Sequence, residues 1–225
     1  MGGGVQAISP RPTKNVPSRG TTAADPQNTR RQQVLDAAAR LFANRGYHGT
    51  RIDDVASAVG MNKATVYHYY ASKSLLLYDI YRQAADFTLS AVHDHTSGSA
   101  REAIYCFTTR LLTGIAGDID RAAVYFQESP YITEWLAEEQ VTHIQAAETA
   151  VYEHLRTLID DGVASGEFIA CDSHVLALGY IGMTTGSYRW LREQPARSPA
   201  HVAAELSSAL LRGLVRDEQG RRSFD

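Results

Sequence analysis

The stretch VASAVGMNKATVYHYYASKSLL, Val55 to Leu76, decides how the rest of the chain is read. It sets Tyr67, His68, Tyr69 and Tyr70 in one row between Lys63 and Lys73, shortly after Gly60. A closed apolar core has little use for four polar-tipped rings in succession, because each tip needs a hydrogen-bond partner once buried. A surface that meets phosphates and base edges does. Gly60 supplies a turn residue that tolerates positive φ. Asn62 can cap a short helix from Lys63, and Ser72 a longer one from Lys73 that reaches roughly His93. Upstream, TRIDDVASAVG offers Thr50 as N-cap, Asp53 and Asp54 in the first turn, and Gly60 at the stop. Two short helices joined by a tight turn at Gly60–Met61–Asn62 make a helix-turn-helix.

Working outward, RRQQVLDAAARLFANRGY places Val34, Leu35, Ala38, Leu41 and Phe42 at spacings of three and four, one apolar helical face that Asn44 to Gly46 brings to an end. Val55, Ala56, Val59, Met61 and Val66 are expected to hold the helix pair against Leu41 and Phe42. Tyr70 sits where the next helix must dock and is expected to pack. The remaining positions face outward as candidate DNA contacts. Lys63 can reach guanine O6 and N7, and Thr65 a phosphate or a thymine methyl. His68 and Tyr69 lie on the outer side, with Asn62 beside them. Tyr67 and Lys73 can bond backbone phosphates, as can Thr50 and Arg51 at the start of the preceding helix.

Charge agrees with this division. Residues 28 to 73 hold seven basic against three acidic side chains, a net +4, while residues 74 to 225 hold twelve arginines, no lysine and twenty-one acidic residues, a net −9. The first 27 residues carry +2. A basic front on an acidic back is expected where one end meets a polyanion. The first 27 residues are rich in Gly, Pro, Ser and Thr and cannot bury enough surface to offset ordering entropy, so a disordered arm is expected. Its Arg11, Lys14 and Arg19 would either brush phosphates or stay solvated.

Beyond the helix-turn-helix the pattern stays helical, with no convincing period-2 strand, so the chain is expected to be all-α. Helices are expected near 100–116, 119–128, 132–165, 172–193 and 198–216, with breaks at GDID, ESPY, SGEF and REQPARSPA. The last two, HVLALGYIGMTTGSYRW and AHVAAELSSALLRGLV, are rich in small residues that let helices approach closely, which suits a dimer interface or an ordinary core. No window reaches about eighteen consecutive apolar residues, so no membrane span is expected. The N-terminus lacks the apolar region of a secretory signal, and Cys106 and Cys171 read as reduced thiols, so a cytoplasmic location is expected.

Enzyme chemistry finds no footing. No glutamate is followed by histidine three residues later, as an inward-facing di-iron site would need, and H-E-x-x-H, G-x-S-x-G, Walker and G-x-G-x-x-G motifs are absent. His93 and His95 flank a loop and read as solvated rather than as metal ligands. No metal or cofactor is expected. A ligand-independent architectural DNA binder, a helical-bundle enzyme and a helical protein-interaction module are the rival readings, and the charge split argues against the last.

LDAAARLFANRGYHGTRIDDVASAVGMNKATVYHYYASKSLLL resembles the N-terminal domain of the TetR family of bacterial transcriptional repressors. The residues that carry the likeness are Leu41, Phe42, Gly46, Tyr47, Gly60, Thr65, Tyr67, Tyr69, Tyr70, Lys73 and Leu76. Tyr70 stands where the family usually has Phe, Asn62 where Ser is frequent and Ala64 where Gly is frequent, which bears on operator preference. After the arm over 1–27, the resemblance implies a DNA-binding domain over 28–73 and a helical domain over 74–225 that dimerises and binds a small molecule. It implies a homodimeric repressor released from a palindromic operator by a small apolar or acyl-coenzyme A-type ligand, and the last two long helices are the candidates for the dimer interface. Among the middle helices, Tyr105, Tyr125, Trp135, Tyr152, Thr185, Tyr188 and Arg189 are the candidate ligand residues, interleaved with Phe107, Phe126, Tyr131, His143 and Trp190. An aromatic stripe at helical spacing is also what plain core looks like. MTTGSYRWLRE resembles the matching helix of repressors of steroid and fatty-acid degradation that sense acyl-coenzyme A thioesters, which implies that Arg189 could meet an anionic ligand group.

Overall fold

The computed structural model describes residues 26–92, 98–193 and 197–214. Most of the N-terminal arm, and His93 and His95, lie outside the described residues. The regular elements are helices, joined by short turns. Helix α1 (Pro26–Arg45) buries Val34, Leu35, Ala38 and Phe42, the apolar face read from spacing. It starts at Pro26, earlier than the arm boundary expected at residue 27. It ends at Arg45; the Gly46 N–H still donates to the Phe42 carbonyl at 2.8 Å, and the positive φ of Gly46, +75°, then turns the chain out of the helix.

Helix α2 (Ile52–Ala58) and helix α3 (Lys63–Tyr69) form the helix-turn-helix. Gly60 turns the chain at φ +65°, and the Met61 N–H returns to the Ala56 carbonyl at 2.9 Å. Asn62 caps α3, its Oδ1 accepting from the Thr65 N–H at 2.8 Å. Thr50 does not cap α2. The N-cap is Arg51, whose N–H donates to the Asp54 carboxylate at 2.7 Å. Thr50 is turned inward instead, and its hydroxyl donates to the Gly46 carbonyl at 3.0 Å, closing the α1–α2 corner. Val55 and Val66 are fully buried between the helices, with Val59, Met61 and Leu41 packed at the edge.

Helix α4 (Lys73–Leu89) starts from the Ser72 cap and stops earlier than the expected His93. It runs through the protein, packing on α1 and on α5 (Ala100–Gly117), α6 (Ile119–Glu128) and α8 (Glu138–Ala164). The single helix expected over 132–165 is interrupted. A 3₁₀ turn η1 (Ser129–Tyr131) leads into one turn of α7 (Ile132–Trp135), and Leu136 and Ala137 then turn extended before α8 begins. The helix expected over 172–193 also divides, into α9 (Ser173–Thr185) and α10 (Tyr188–Glu193). Gly186 and Ser187 break it: Gly186 has no side chain to pack, and the Ser187 N–H tightens onto Thr184 at 3.2 Å. Helix α11 (Pro199–Leu214) lies along α5. One continuous apolar core joins the helix-turn-helix to the larger helical body, because α1 packs on α6 as well as on α2 and α4.

Candidate nucleic-acid interface and effector pocket

Helix α3 is fastened from behind and open in front. Val66 and Tyr70 face inward, and the guanidinium of Arg31 lies 4.1 Å over the Tyr70 ring. Arg31 also donates to the Tyr69 carbonyl at 3.1 Å and pairs with Asp79 of α4 at 2.5 Å. Burial works to raise the Asp79 pKa, but hydrogen bonds from Arg31 and Tyr70 outweigh it and hold the carboxyl below its ordinary value. α3 is therefore fixed to α1 and α4 by an arginine that reaches three backbone or side-chain groups.

The outer side of the head gathers Arg51, Asn62, Lys63, Tyr67 and His68, all exposed, with Thr65 and Tyr69 half-buried among them. Lys63 is paired at the surface with Asp53 at 2.9 Å, both side chains more than half exposed. Such a pair is worth little in water and is easily exchanged for a phosphate. The Thr65 hydroxyl donates to Asn62 Oδ1 at 2.9 Å, so the cap also sets the direction of the threonine methyl.

Two of the expected contacts are not on this face. Thr50 is 1% exposed and its hydroxyl is spent on backbone carbonyls, so its side chain shapes the corner. Lys73 points into the protein. Its ammonium donates to the Tyr47 carbonyl and sits 4.1 Å over the Tyr47 ring. Burial lowers its pKa, with the charge of Glu128 opposing the shift. Both side chains turn to the same short loop, and the ordering of that loop consumes their polar groups.

A second site lies in the body: a pocket of about 370 Å³ bounded by α4, α5, α6, α8 and α9. Of the seven expected ligand residues, Tyr125, Tyr152 and Thr185 line it. The other four lie elsewhere. Tyr105 lines a separate surface groove between α5 and α11. Trp135 packs on the helix-turn-helix side, 4.7 Å from the Tyr47 ring and 4.9 Å from His48. Tyr188 is buried and stacked on Phe126 at 5.4 Å. Arg189 is exposed and donates to the Tyr188 hydroxyl at 3.2 Å, outside the pocket lining. For Tyr188 and Arg189 spacing along one helix misplaces the side chains, because α9 and α10 are separate helices and the faces shift at Gly186.

Phe126, one of the interleaved aromatics, lines the pocket, and Glu148 was not anticipated. Glu148 is the one charged residue among the lining residues. Its carboxyl faces the Tyr125 hydroxyl, and burial raises its pKa above the ordinary value with that hydroxyl opposing. The signal was present in α8, where Glu148 and Tyr152 stand four apart beside the buried Ala147 and Val151.

Helix α6 joins the two sites. Tyr125 and Phe126 face the pocket, while Arg121 and Glu128 grip the head. Arg121, 6% exposed, pairs with Asp36 of α1 at 2.5 Å and with its own N-cap Asp118. The buried Glu128 carboxylate accepts the Tyr47 N–H at 2.8 Å. From α10, Arg192 donates to the Ala43 carbonyl at 3.1 Å and to Asn44 at 2.6 Å, at the end of α1.

Comparison with known proteins adds to this geometry. Residues 34–80 match the profile of bacterial regulatory proteins of the tetR family, and residues 97–214 match that of the tetracyclin repressor-like C-terminal domain. The chain is similar to the HTH-type transcriptional repressor KstR2 of Rhodococcus jostii, with 27% identity over 189 residues, 83% of this chain and 91% of that protein. It is similar in structure to the TetR-family regulator PfmR of Thermus thermophilus, with TM-score 0.71 and 26% identity over 81% of this chain and 99% of that one. The fold is also that of AibR, solved with isovaleryl coenzyme A and operator DNA, with TM-score 0.67 and 23% identity over 81% of this chain and 98% of that one.

Proposed function

Because this chain belongs to the TetR family of bacterial regulators, we propose that it is a cytoplasmic repressor, a homodimer on a palindromic operator that a small apolar ligand releases. Its family consists of regulators of transcription rather than enzymes. The observation that carries the ligand-responsive reading is helix α6, which is at once a wall of the pocket and the clamp on the head. A ligand wedged against Tyr125 and Phe126 pushes the same helix that holds Asp36 and the Tyr47 N–H. The head then tilts on the body, and two heads that no longer match the half-site spacing lose the operator. A ligand that prefers the released state by about 3 kcal/mol weakens DNA binding about a hundredfold.

Arg51, Asn62, Lys63, Thr65, Tyr67, His68 and Tyr69 form the reading surface. Lys63 and Arg51 neutralise phosphates or meet guanine, while Thr65 and the rings pack on the backbone and on base edges. Helices α9 and α11 are the dimer faces. On α9, Val175 (58% exposed) and Leu178 (52%) stand in the open, with Gly179, Gly182 and Met183 continuing the row at helical spacing. On α11, Ala209, Leu210 and Gly213 border a groove that Val175 also lines. A four-helix contact of such faces is what sets two reading helices about 34–36 Å apart.

Of the two ligand types the sequence raised, the pocket supports the apolar one. No Lys, Arg or His is among its lining residues, so the phosphates of a coenzyme A thioester would find no cation there. The test is selection of DNA sites from a random pool by the full chain, followed by sedimentation of the bound complex. A palindrome bound by two copies is expected. Binding that shows no preference for any site, or one copy per site, overturns the reading and favours an architectural binder.

A further inference from the structure

The pocket combines one carboxylate with three aromatic rings. Glu148 stands among Tyr125, Phe126 and Tyr152, and the rest of the lining is aliphatic or threonine: Leu111, Val151, Leu178, Ile181, Thr88 and Thr149 among them. The Tyr125 and Phe126 rings meet edge to face at 88°, with centroids 5.2 Å apart, so their faces are turned in different directions. A carboxylate among aromatic rings is a setting that holds an ammonium group, by charge pairing with the carboxylate and cation–π attraction to the rings. The same arrangement repels a carboxylate or phosphate. Glu148 and Thr149 of α8 are exposed among the lining residues, which lets a charged ligand end stay near water.

Building on the proposed effector-controlled repression, we infer that the effector is a lipophilic cation, an apolar body carrying an amine or ammonium that docks on Glu148 between the Tyr125, Phe126 and Tyr152 rings. The apolar body fills the space toward Leu111 and Ile181. At about 370 Å³ the pocket lies at the small end of the range for ligand sites, which suits a single-chain or single-ring amine. Other cations lie outside the site. Arg189 is held on Tyr188, which stacks on Phe126, and His174 is engaged at Nδ1 by the Tyr152 hydroxyl at 2.5 Å.

The test is calorimetric titration of the full-length protein with three probes of one skeleton: decylamine, decanol and decanoate. The amine is expected to bind about tenfold tighter than the alcohol, and the acid weakest. Glu148→Gln is expected to lower amine affinity about tenfold and to raise decanoate affinity. That variant also separates the pocket from general attraction to the acidic body, which one lost charge in twenty-one scarcely changes. The inference is overturned by decanoate binding as tightly as decylamine, by unchanged amine affinity in Glu148→Gln, or by no probe binding at all. Decylamine that binds through Glu148 yet leaves the operator complex intact would uphold the ligand class and refute release by this pocket.

Discussion

Glu128 is the point at which the proposed coupling can be cut with least disturbance. Its carboxylate and Tyr47 are both nearly inaccessible, 9% and 8% exposed, and the Tyr47 N–H has its bond at 2.8 Å with Glu128 Oε1. Glu128→Ala strands that donor in a closed space. A stranded buried donor costs about 1–3 kcal/mol, and the half-buried Lys73 ammonium loses its opposing charge, which adds about 1 kcal/mol at most. The sum is about 3 kcal/mol, which in a chain of this size lowers Tm by about 6–12 °C. Glu128→Gln keeps an acceptor for the N–H and gives up only the charge, so its cost is about 1 kcal/mol, or about 2–4 °C. The assay is thermal unfolding followed by circular dichroism, with operator affinity of each variant measured by anisotropy with and without decylamine. Both variants are expected to retain the pocket and to show a weaker change in operator affinity on ligand addition, the alanine more so. Alanine and glutamine variants with the same Tm as wild type, and an undiminished ligand response, would refute the claim that α6 holds the head through this bond.

Three further outcomes are expected. Lys63→Ala weakens operator binding about tenfold and reduces the slope of affinity against salt by about one, whereas Lys73→Met leaves that slope unchanged, and titration of operator binding against salt separates them. Asp79 has a depressed folded-state pKa, so its contribution is present above the unfolded value of about 4 and is lost as pH falls through the folded value. Melting curves of wild type and Asp79→Asn should therefore differ at pH 7 and converge toward pH 2, and a gap that widens on acidification would contradict the Arg31 pairing. Val175→Arg sets a charge into the open face of α9 away from the pocket, and sedimentation is expected to find monomers with operator affinity down at least about a hundredfold.

The helix-turn-helix was legible before any coordinates because its determinants are local. Gly60 turns where positive φ is needed, Asn62 and Ser72 cap the helices that follow them, and Val55 and Val66 close the pair. Local chemistry also marked Tyr70 as a packing residue. The all-helical class and most breaks followed from periodicity in the same way. What periodicity could not supply is which polar atom meets which across the fold. Thr50 and Lys73 have the composition of DNA contacts, yet the loop at Tyr47 takes their hydroxyl and ammonium for its own backbone carbonyls. Arg189 and Trp135 sit in suggestive sequence but face a neighbouring tyrosine and the head. Glu148 is unremarkable in a helix with several acidic residues until α6 and α9 set their side chains beside it around the pocket. Caps and turns are decided within a few residues of chain, so the sequence alone determines them. A pocket is decided by the relative rotation of helices far apart in sequence, and a break such as Gly186 reorients every side chain after it, so only the tertiary structure decides what the pocket holds.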